Sequence, residues 1–306
     1  MAEITAALVK ELREKTGAGM MECKKALSET GGDLEGAIDF LRKKGLSVAE
    51  KKAGRVASQG LVGVCVEGNK GAIVELNSET DFVARNAEFQ AMLTKMLGAA
   101  MTANGDVEGM KKETVDGKSI EDTLTELIAK IGENMSLRRA ACVEVANGVV
   151  VPYMHTAVVP NQGKIGVLVA LESTGDKQAL TELGKKIAMH IAASSPLFLN
   201  IDSVDTASVE REKAIFAEQA KASGKPENII EKMVEGRVRK YYDEVVLEEQ
   251  AYIMDPDKKV KQIIAEAANE LGADVKLVNF VRFKLGEGLQ KKEEDFASEV
   301  AAQLGK

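Results

Sequence analysis

Two stretches of this chain follow one plan, and the repetition limits the fold more than any other feature. Each has an apolar run, a glycine turn, a second apolar run and then a segment with helical spacing. In the first, Leu61–Val66 and Ala72–Leu76 flank the turn Gly68-Asn69-Lys70-Gly71, and Phe89, Met92, Leu93, Met96 and Leu97 follow at helical spacing. In the second, Val149–Val159 and Ile165–Leu171 flank Asn161-Gln162-Gly163, and a helix is expected from about Lys177 to Ala193. So short a turn joins antiparallel strands. Two duplicated β-β-α units with antiparallel sheets are therefore expected, alike in pattern more than in identity.

The segments around this pair read as helical. Ile4, Leu8, Val9 and Leu12 share one face, Met21, Cys23 and Leu27 a second, and Leu34, Ala37, Ile38 and Leu41 a third. Breaks at 16–19 and 31–33 separate them, with Asp33 a natural N-cap. The first 46 residues thus form a compact three-helix module, and Ser47–Gly60 reads as a linker, helical in part. Ile120–Ile131 is a further helix that stops before Gly132-Glu133-Asn134. Asp205–Ile253 is long, charged and poor in strand-forming runs, and it breaks at Ser223-Gly224-Lys225-Pro226. Two antiparallel helices follow, packed along Ile215, Ile229, Ile230, Met233, Val234 and Val238 as a projecting coiled-coil hairpin. Beyond Pro256 come a helix through Val260, Ile263, Ile264 and Ala267, a strand from Val275 to Leu285 that joins the second sheet, and a terminal helix with Phe296, Val300 and Leu304 on one face. The class is α+β and multidomain, divided as 1–54, 55–140, 141–200 with 256–290, 201–255 and 291–306.

Charge and composition narrow the function. Hydrophobic residues are 45% and charged residues 29% of the chain, an ordinary globular balance, and aromatics are 4% with no Trp, so the cores are aliphatic. The net charge of -7 is interspersed, with no cationic face for phosphate, so no nucleic acid partner is expected. No signal peptide or apolar span points to export or to a membrane, and a cytoplasmic protein is expected. Cys23, Cys65 and Cys142 lack paired spacing and read as reduced apolar fillers. His155 and His190 have no nucleophile at a recognised spacing, and His190 sits among Ile187, Met189 and Ile191 as a packing residue. Phosphate-cradling loops are absent, and Gly17-Ala18-Gly19 lies between helices rather than after a strand. No cofactor, no metal, no direct nucleotide binding and no catalytic residue are therefore expected. The rival reading, a hydrolase or transferase using Cys23 or His190, has no support in spacing.

One segment stands out. Asn77-Ser78-Glu79-Thr80-Asp81-Phe82-Val83-Ala84-Arg85 places an aromatic beside an acid at the corner between the first hairpin and its helix. Phe82 is open to two readings: a core residue of the first helical turn, or a wedge for another protein's pocket. The matching corner of the second unit, Glu172-Ser173-Thr174-Gly175-Asp176, has no aromatic, so the plan does not require one.

At these residues the chain resembles the elongation factor Ts family, the nucleotide exchange factors of elongation factor Tu. Thr16–Leu27, with Met20-Met21-Glu22-Cys23-Lys24-Lys25, is similar to the family's first signature, and Glu75–Ala84 to its second. Further similarity lies in Lys130–Asn134, His190–Ser194, Lys232–Arg237 and Gly286-Glu287-Gly288. The resemblance implies that the first module is a ubiquitin-associated-like (UBA-like) domain. It also implies that the duplicated units are core subdomains and the projecting pair a coiled-coil subdomain. It gives Thr80, Asp81, Phe82 and Val83 the role of dislodging Mg2+ from elongation factor Tu. Lys24, Ile131, Gly132, His155, Ile253 and Met254 match further contact regions. A third reading, a ubiquitin-type adaptor, rests on the three-helix module alone.

Overall fold

The structure, a computed structural model, describes residues 4–221 and 226–289. It is mixed α/β with antiparallel pairing, and the chain divides into two compact units. The first is drawn from Met1–Gly63, Val74–Ala140 and Lys284–Lys306, the second from Val64–Ile73 and Ala141–Phe283.

In the first unit, α1 (Ala6–Thr16), α2 (Met20–Glu29) and α3 (Leu34–Lys52) form the expected module. Its core is Val9, Leu12, Cys23, Ala26, Leu27 and Ala37, with Ile38, Phe40 and Leu41 packed against it. Asp33 caps α3 by accepting from the N–H groups of Glu35 and Gly36 at 3.2 and 3.1 Å. α3 runs on to Lys52, so the linker is helical in its first part, as expected. One sequence expectation changes here. Met21 points outward, 75% exposed, because Cys23, Ala26 and Leu27 already supply the inward stripe of a short helix.

Next come β1 (Gln59–Glu67), β2 (Lys70–Ser78), α4 (Ala87–Thr102), α5 (Val107–Lys112), the small antiparallel pair β3 (Thr114–Val115) and β4 (Lys118–Ser119), α6 (Ile120–Ile131) and β5 (Met135–Glu144). Leu61, Val62, Leu76, Phe89, Met92, Leu93, Met96, Met110 and Ile120 are all buried. α4 lies close over β1, since a Cβ added at Gly63 would meet side-chain carbons of Leu93 and Leu97 at 3.0 Å.

The second unit holds β6 (Gly148–Val159), β7 (Gln162–Ser173), α7 (Lys177–Ser194), α8 (Thr206–Lys221), α9 (Glu227–Val245), β8 (Ala251–Tyr252), β9 (Asp255–Lys259), α10 (Val260–Leu271) and β10 (Val275–Lys284). β6 and β7 are antiparallel, with Val151 opposite Val169 and His155 opposite Ile165. The tip of the first hairpin, Val64–Ile73, belongs to this unit too. In its sheet the hydrogen-bonded order is β10-β7-β1-β2-β5, with β6 on β7, so the two hairpins share one sheet where two were expected. The core joins Val149, Val151, Val167, Val169 and Leu171 to Leu180, Leu183, Ile187 and Ile191 of α7 and to Val260 and Ile264 of α10. The close approach of helix to strand recurs, with the glycine now on the helix: a Cβ at Gly184 would lie 2.5 Å from Val151 Cγ2.

α8 and α9 pack on a small cluster of their own, Val204, Val209, Val238 and Val246, with Phe198, Val234, Tyr241 and Tyr242 around it. The expected seam holds at Val234 and Val238 and fails at Ile215 and Ile229, which are 43% and 39% exposed. Tyrosines near the end of α9 supply the bulk instead. The expected terminal helix and most of the break before Pro226 lie outside the described residues.

The two kinds of helical glycine make opposite demands. A methyl at Gly98 in α4 meets nothing within 4 Å, whereas at Gly184 it collides with Val151. Gly98→Ala is expected to raise stability by about 0.5–1 kcal/mol through helix propensity. Gly184→Ala is expected to lower it by about 1–3 kcal/mol through overpacking. Urea midpoints of the two variants, measured side by side, check both signs.

Candidate functional site

Between the end of β2 at Ser78 and the N-cap of α4 at Asn86, residues 79–85 form the aromatic corner. In the second unit only residues 174–175 separate β7 from the cap Asp176. The extra length is held by backbone bonds and side chains. Arg85 N–H donates to Phe82 O at 3.1 Å and Asn86 N–H to Val83 O at 2.9 Å, closing a single 3-10 turn over Val83–Arg85. Asn86 Oδ1 then accepts from Glu88 N–H at 2.8 Å and starts α4. The Ser78 hydroxyl donates to Thr80 O at 2.9 Å.

Two glutamates lock this corner to the segment after α6. Glu133 accepts from Thr80 twice, Oε2 from the backbone N–H at 3.0 Å and Oε1 from the hydroxyl at 2.7 Å. In return, Glu79 Oε1 accepts from the Asn134 N–H at 2.6 Å, and Arg55 lies 3.5 Å from its other oxygen. Asn134 Nδ2 donates to Arg55 O at 2.7 Å. The Lys52 ammonium donates to Gly132 O, the glycine that ends α6 with φ 85°. A carboxylate bonded to a backbone N–H and a hydroxyl together holds its partner in one orientation, and bonds to a charged acceptor are the stronger kind.

The outcome is a fixed turn with an unpaired ring on its outside. Phe82 is 79% exposed and Asp81 is exposed, while Val83 and Ala84 are buried beneath them. The packing reading of Phe82 is thereby excluded: Val83 and Phe89 fill the interior, and Phe82 stands in solvent.

β2 owes its position below the corner to Glu75, whose side chain is fully buried. Its Oε1 accepts from Arg138 Nη1 at 2.9 Å and from Gly286 N–H at 2.8 Å, and its Oε2 from Arg139 Nε at 2.6 Å. Burial pushes the Glu75 carboxyl up, but the Gly286 N–H and the two guanidinium groups outweigh it and hold it below the ordinary glutamate value. Gly286 has φ 69°, and a Cβ there would meet Ser58 O at 2.7 Å, so only glycine lets that N–H reach the carboxylate.

The other sequence candidates are found as follows. Lys24 is exposed on α2, near the exposed Met20 and Met21. Ile131 and Gly132 are half-buried at the end of α6. His155 is exposed on β6, its Nδ1 3.2 Å from the Tyr153 hydroxyl. Ile253 and Met254, 42% and 48% exposed, are the two residues between the paired Tyr252 and Asp255. His190 is wholly buried beside them, as expected of a packing histidine, and burial pushes it below the ordinary histidine value against its bond to Gln250 Oε1. Among the described residues no cluster of three or more His, Cys, Asp or Glu side chains suits a metal ion, and no helix is long and apolar enough to cross a membrane. Cys23 is buried and Cys65 and Cys142 are half-buried, none of them in a disulfide; burial raises both of the latter above the ordinary thiol value, which disfavours the nucleophilic thiolate.

These features agree with known sequences. The profile of the family described as Elongation factor TS matches residues 79–287, from the first clamp glutamate to the glycine-rich segment beside Glu75. Elongation factor Ts of Paramagnetospirillum magneticum is 59% identical over 307 residues, covering 100% of this chain and 98% of that protein. That of Rhodospirillum rubrum is 58% identical, with 100% of both covered, and that of Rhizobium etli 55% identical, with 99% of both covered. The chain belongs to the elongation factor Ts family.

The sequence marked the corner at Thr80–Val83 but not the residues that support it. Glu133 lies inside a recognised family segment, but nothing local in the sequence pairs it with Thr80, 53 positions away. The one signal was an acid directly after a helix-ending glycine.

Two outcomes follow. Glu133→Ala is expected to leave the Thr80 N–H without its acceptor, speed amide exchange at Thr80 and lower stability by about 1–3 kcal/mol; exchange monitored by NMR or mass spectrometry checks it. For Glu75 the folded value is depressed, so its contribution is present above the ordinary glutamate value and is lost as pH falls through the lower folded value. Unfolding titrations in that acid window are expected to show a slope in the native chain that Glu75→Gln lacks.

Proposed function

We propose that this chain is a guanine nucleotide exchange factor of translation elongation: it binds elongation factor Tu·GDP, dislocates Mg2+ and promotes release of GDP so that GTP can enter. The observation that carries the reading is the exposed Phe82 ring beside Asp81 on a turn clamped from both sides, in a chain of this family. A monomer gains nothing from holding an aromatic ring in water, since burying one is worth about 1.5–3 kcal/mol. A rigid ring of this kind is suited to a partner's pocket, because little side-chain freedom is lost on docking.

The mechanism is differential binding without covalent chemistry. A factor that binds the nucleotide-free partner more tightly than the GDP-bound one must by linkage weaken GDP to the same degree. Magnesium is the vulnerable point: it neutralises the phosphates and is held by few protein ligands, so its displacement loosens the nucleotide. Phe82 and Asp81 reach the partner, while Thr80 and the buried Val83 anchor them. Lys24, Ile131, Gly132, His155, Ile253 and Met254 are proposed as further contacts, and their exposed or half-buried positions are compatible with that. We likewise propose the subdivision 1–54 as UBA-like domain with its linker, 55–140 and 141–200 with 256–290 as core subdomains, 201–255 as coiled coil and 291–306 as a terminal module. A cytoplasmic location is part of the same reading.

The test is release of labelled GDP from elongation factor Tu. Catalytic amounts of the native chain are expected to accelerate it, and Phe82→Ala to lose about tenfold or more of that acceleration, as loss of an interface anchor does. Because Phe82 is 79% exposed, stability should change by less than about 0.5 kcal/mol. Release unaffected by the native chain overturns the reading.

A further inference from the structure

Beneath the exposed Ile253-Met254 tip lies a buried polar arrangement that packing alone does not require. The tip is the two-residue connection of the β8–β9 hairpin, between the paired Tyr252 and Asp255. His190, on α7 and with no exposed surface, reaches it directly: the Ile253 backbone N–H donates to His190 Nδ1 at 3.3 Å. Since Nδ1 accepts, the ring proton is on Nε2, which donates to Gln250 Oε1 at 2.8 Å. Gln250, itself buried, donates from Nε2 to Glu244 O at 2.7 Å, so its amide orientation is fixed from the far side. The histidine ring lies 5.8 Å from the ring of Tyr252, and the Tyr252 hydroxyl donates to Met254 Sδ at 3.1 Å. Each exposed tip residue is therefore held from below, Ile253 through its backbone and Met254 through its sulfur.

We propose that His190 is a positioning residue for partner binding: by accepting the Ile253 N–H it presents Ile253 and Met254 as a rigid apolar knob that enters a hydrophobic pocket on the partner. This rests on the exchange-factor reading, in which Ile253 and Met254 are contacts. An aliphatic side chain would fill the same volume in the α7 core but leave the Ile253 N–H unpaired and the hairpin tip free to move. A tip that must be ordered on docking loses affinity, and a tip already ordered does not. The chain Glu244–Gln250–His190–Ile253 thus converts a core position into control of a surface one. Neutral imidazole suits the task, since a protonated Nδ1 cannot accept.

The experiment uses the full chain and two substitutions that split the ring's roles. Asn carries an amide oxygen near the position of Nδ1, whereas Gln carries its amide near the position of Nε2. His190→Asn is expected to retain the Ile253 bond and bind elongation factor Tu within about twofold of native, and His190→Gln to bind about tenfold more weakly, at matched melting temperatures. Equal affinities for the two variants, or losses that simply track melting temperature, overturn the proposal. NMR of the native ring gives an answer that does not depend on any variant folding: the Nε2–H tautomer is expected, and a proton on Nδ1 overturns it. Native affinity in Ile253→Asp/Met254→Asp, with Phe82→Ala still slowing GDP release, removes the knob while leaving the exchange-factor reading intact. A native chain that fails to bind elongation factor Tu overturns both.

Discussion

A carboxylate with no exposed surface is an expensive object unless its charge is answered, and in the first unit Glu75 is answered on both oxygens. Arg138 and Arg139 come from β5 and the Gly286 N–H from the segment after β10, so one side chain on β2 gathers three separated parts of the chain. Both arginines also bond beyond Glu75: Arg139 Nη2 donates to Lys284 O at 3.0 Å and lies 3.6 Å from Glu287 Oε2, and Arg138 Nη2 donates to Glu287 O. With β2 fixed in this way, the chain leaves Ser78 in a defined direction. The glutamate clamps at residues 79 and 133 then have a firm base from which to hold the corner.

The same logic, a buried or half-buried polar group holding an exposed apolar one, appears twice. At the first corner Glu133 and Glu79 tie the backbone around Phe82, and in the second unit His190 and Tyr252 hold Ile253 and Met254. At both places a backbone N–H beside the exposed side chain is held, Thr80 N–H by Glu133 and Ile253 N–H by His190, and at the second Met254 is held through its sulfur as well. Such an arrangement keeps the displayed surface free for a partner while removing the conformational freedom that docking would otherwise have to remove.

Much of the architecture was legible because it is local. Hairpin turns, a helix cap such as Asp33, and the apolar spacing of α4, α6, α7 and α10 are written in runs of a few residues. Local pattern failed where two elements compete for one interior. Met21, Ile215 and Ile229 have the right residue type for a core and are left outside, since the places they would fill are taken by Cys23 and Leu27 in one case and by valines and tyrosines in the other. The single sheet shared by the two hairpins was equally hidden: β-strand pairing partners are far apart in sequence, and period-two alternation says which face is buried but not which strand lies alongside.

Local residue patterns specify the β-β-α plan, the three-helix start, the helical pair and, through the signatures, the family and the segment that distinguishes the first corner from the second. The folded chain alone reveals which way Phe82 faces, that Glu133 and not a neighbouring cap holds Thr80, and that His190 accepts from the Ile253 N–H. The physical reason is that orientation depends on hydrogen bonds between groups 53 to 63 positions apart. Local propensity fixes where a turn occurs, whereas the side chain that turn presents is set by whichever distant donors and acceptors the fold brings against it.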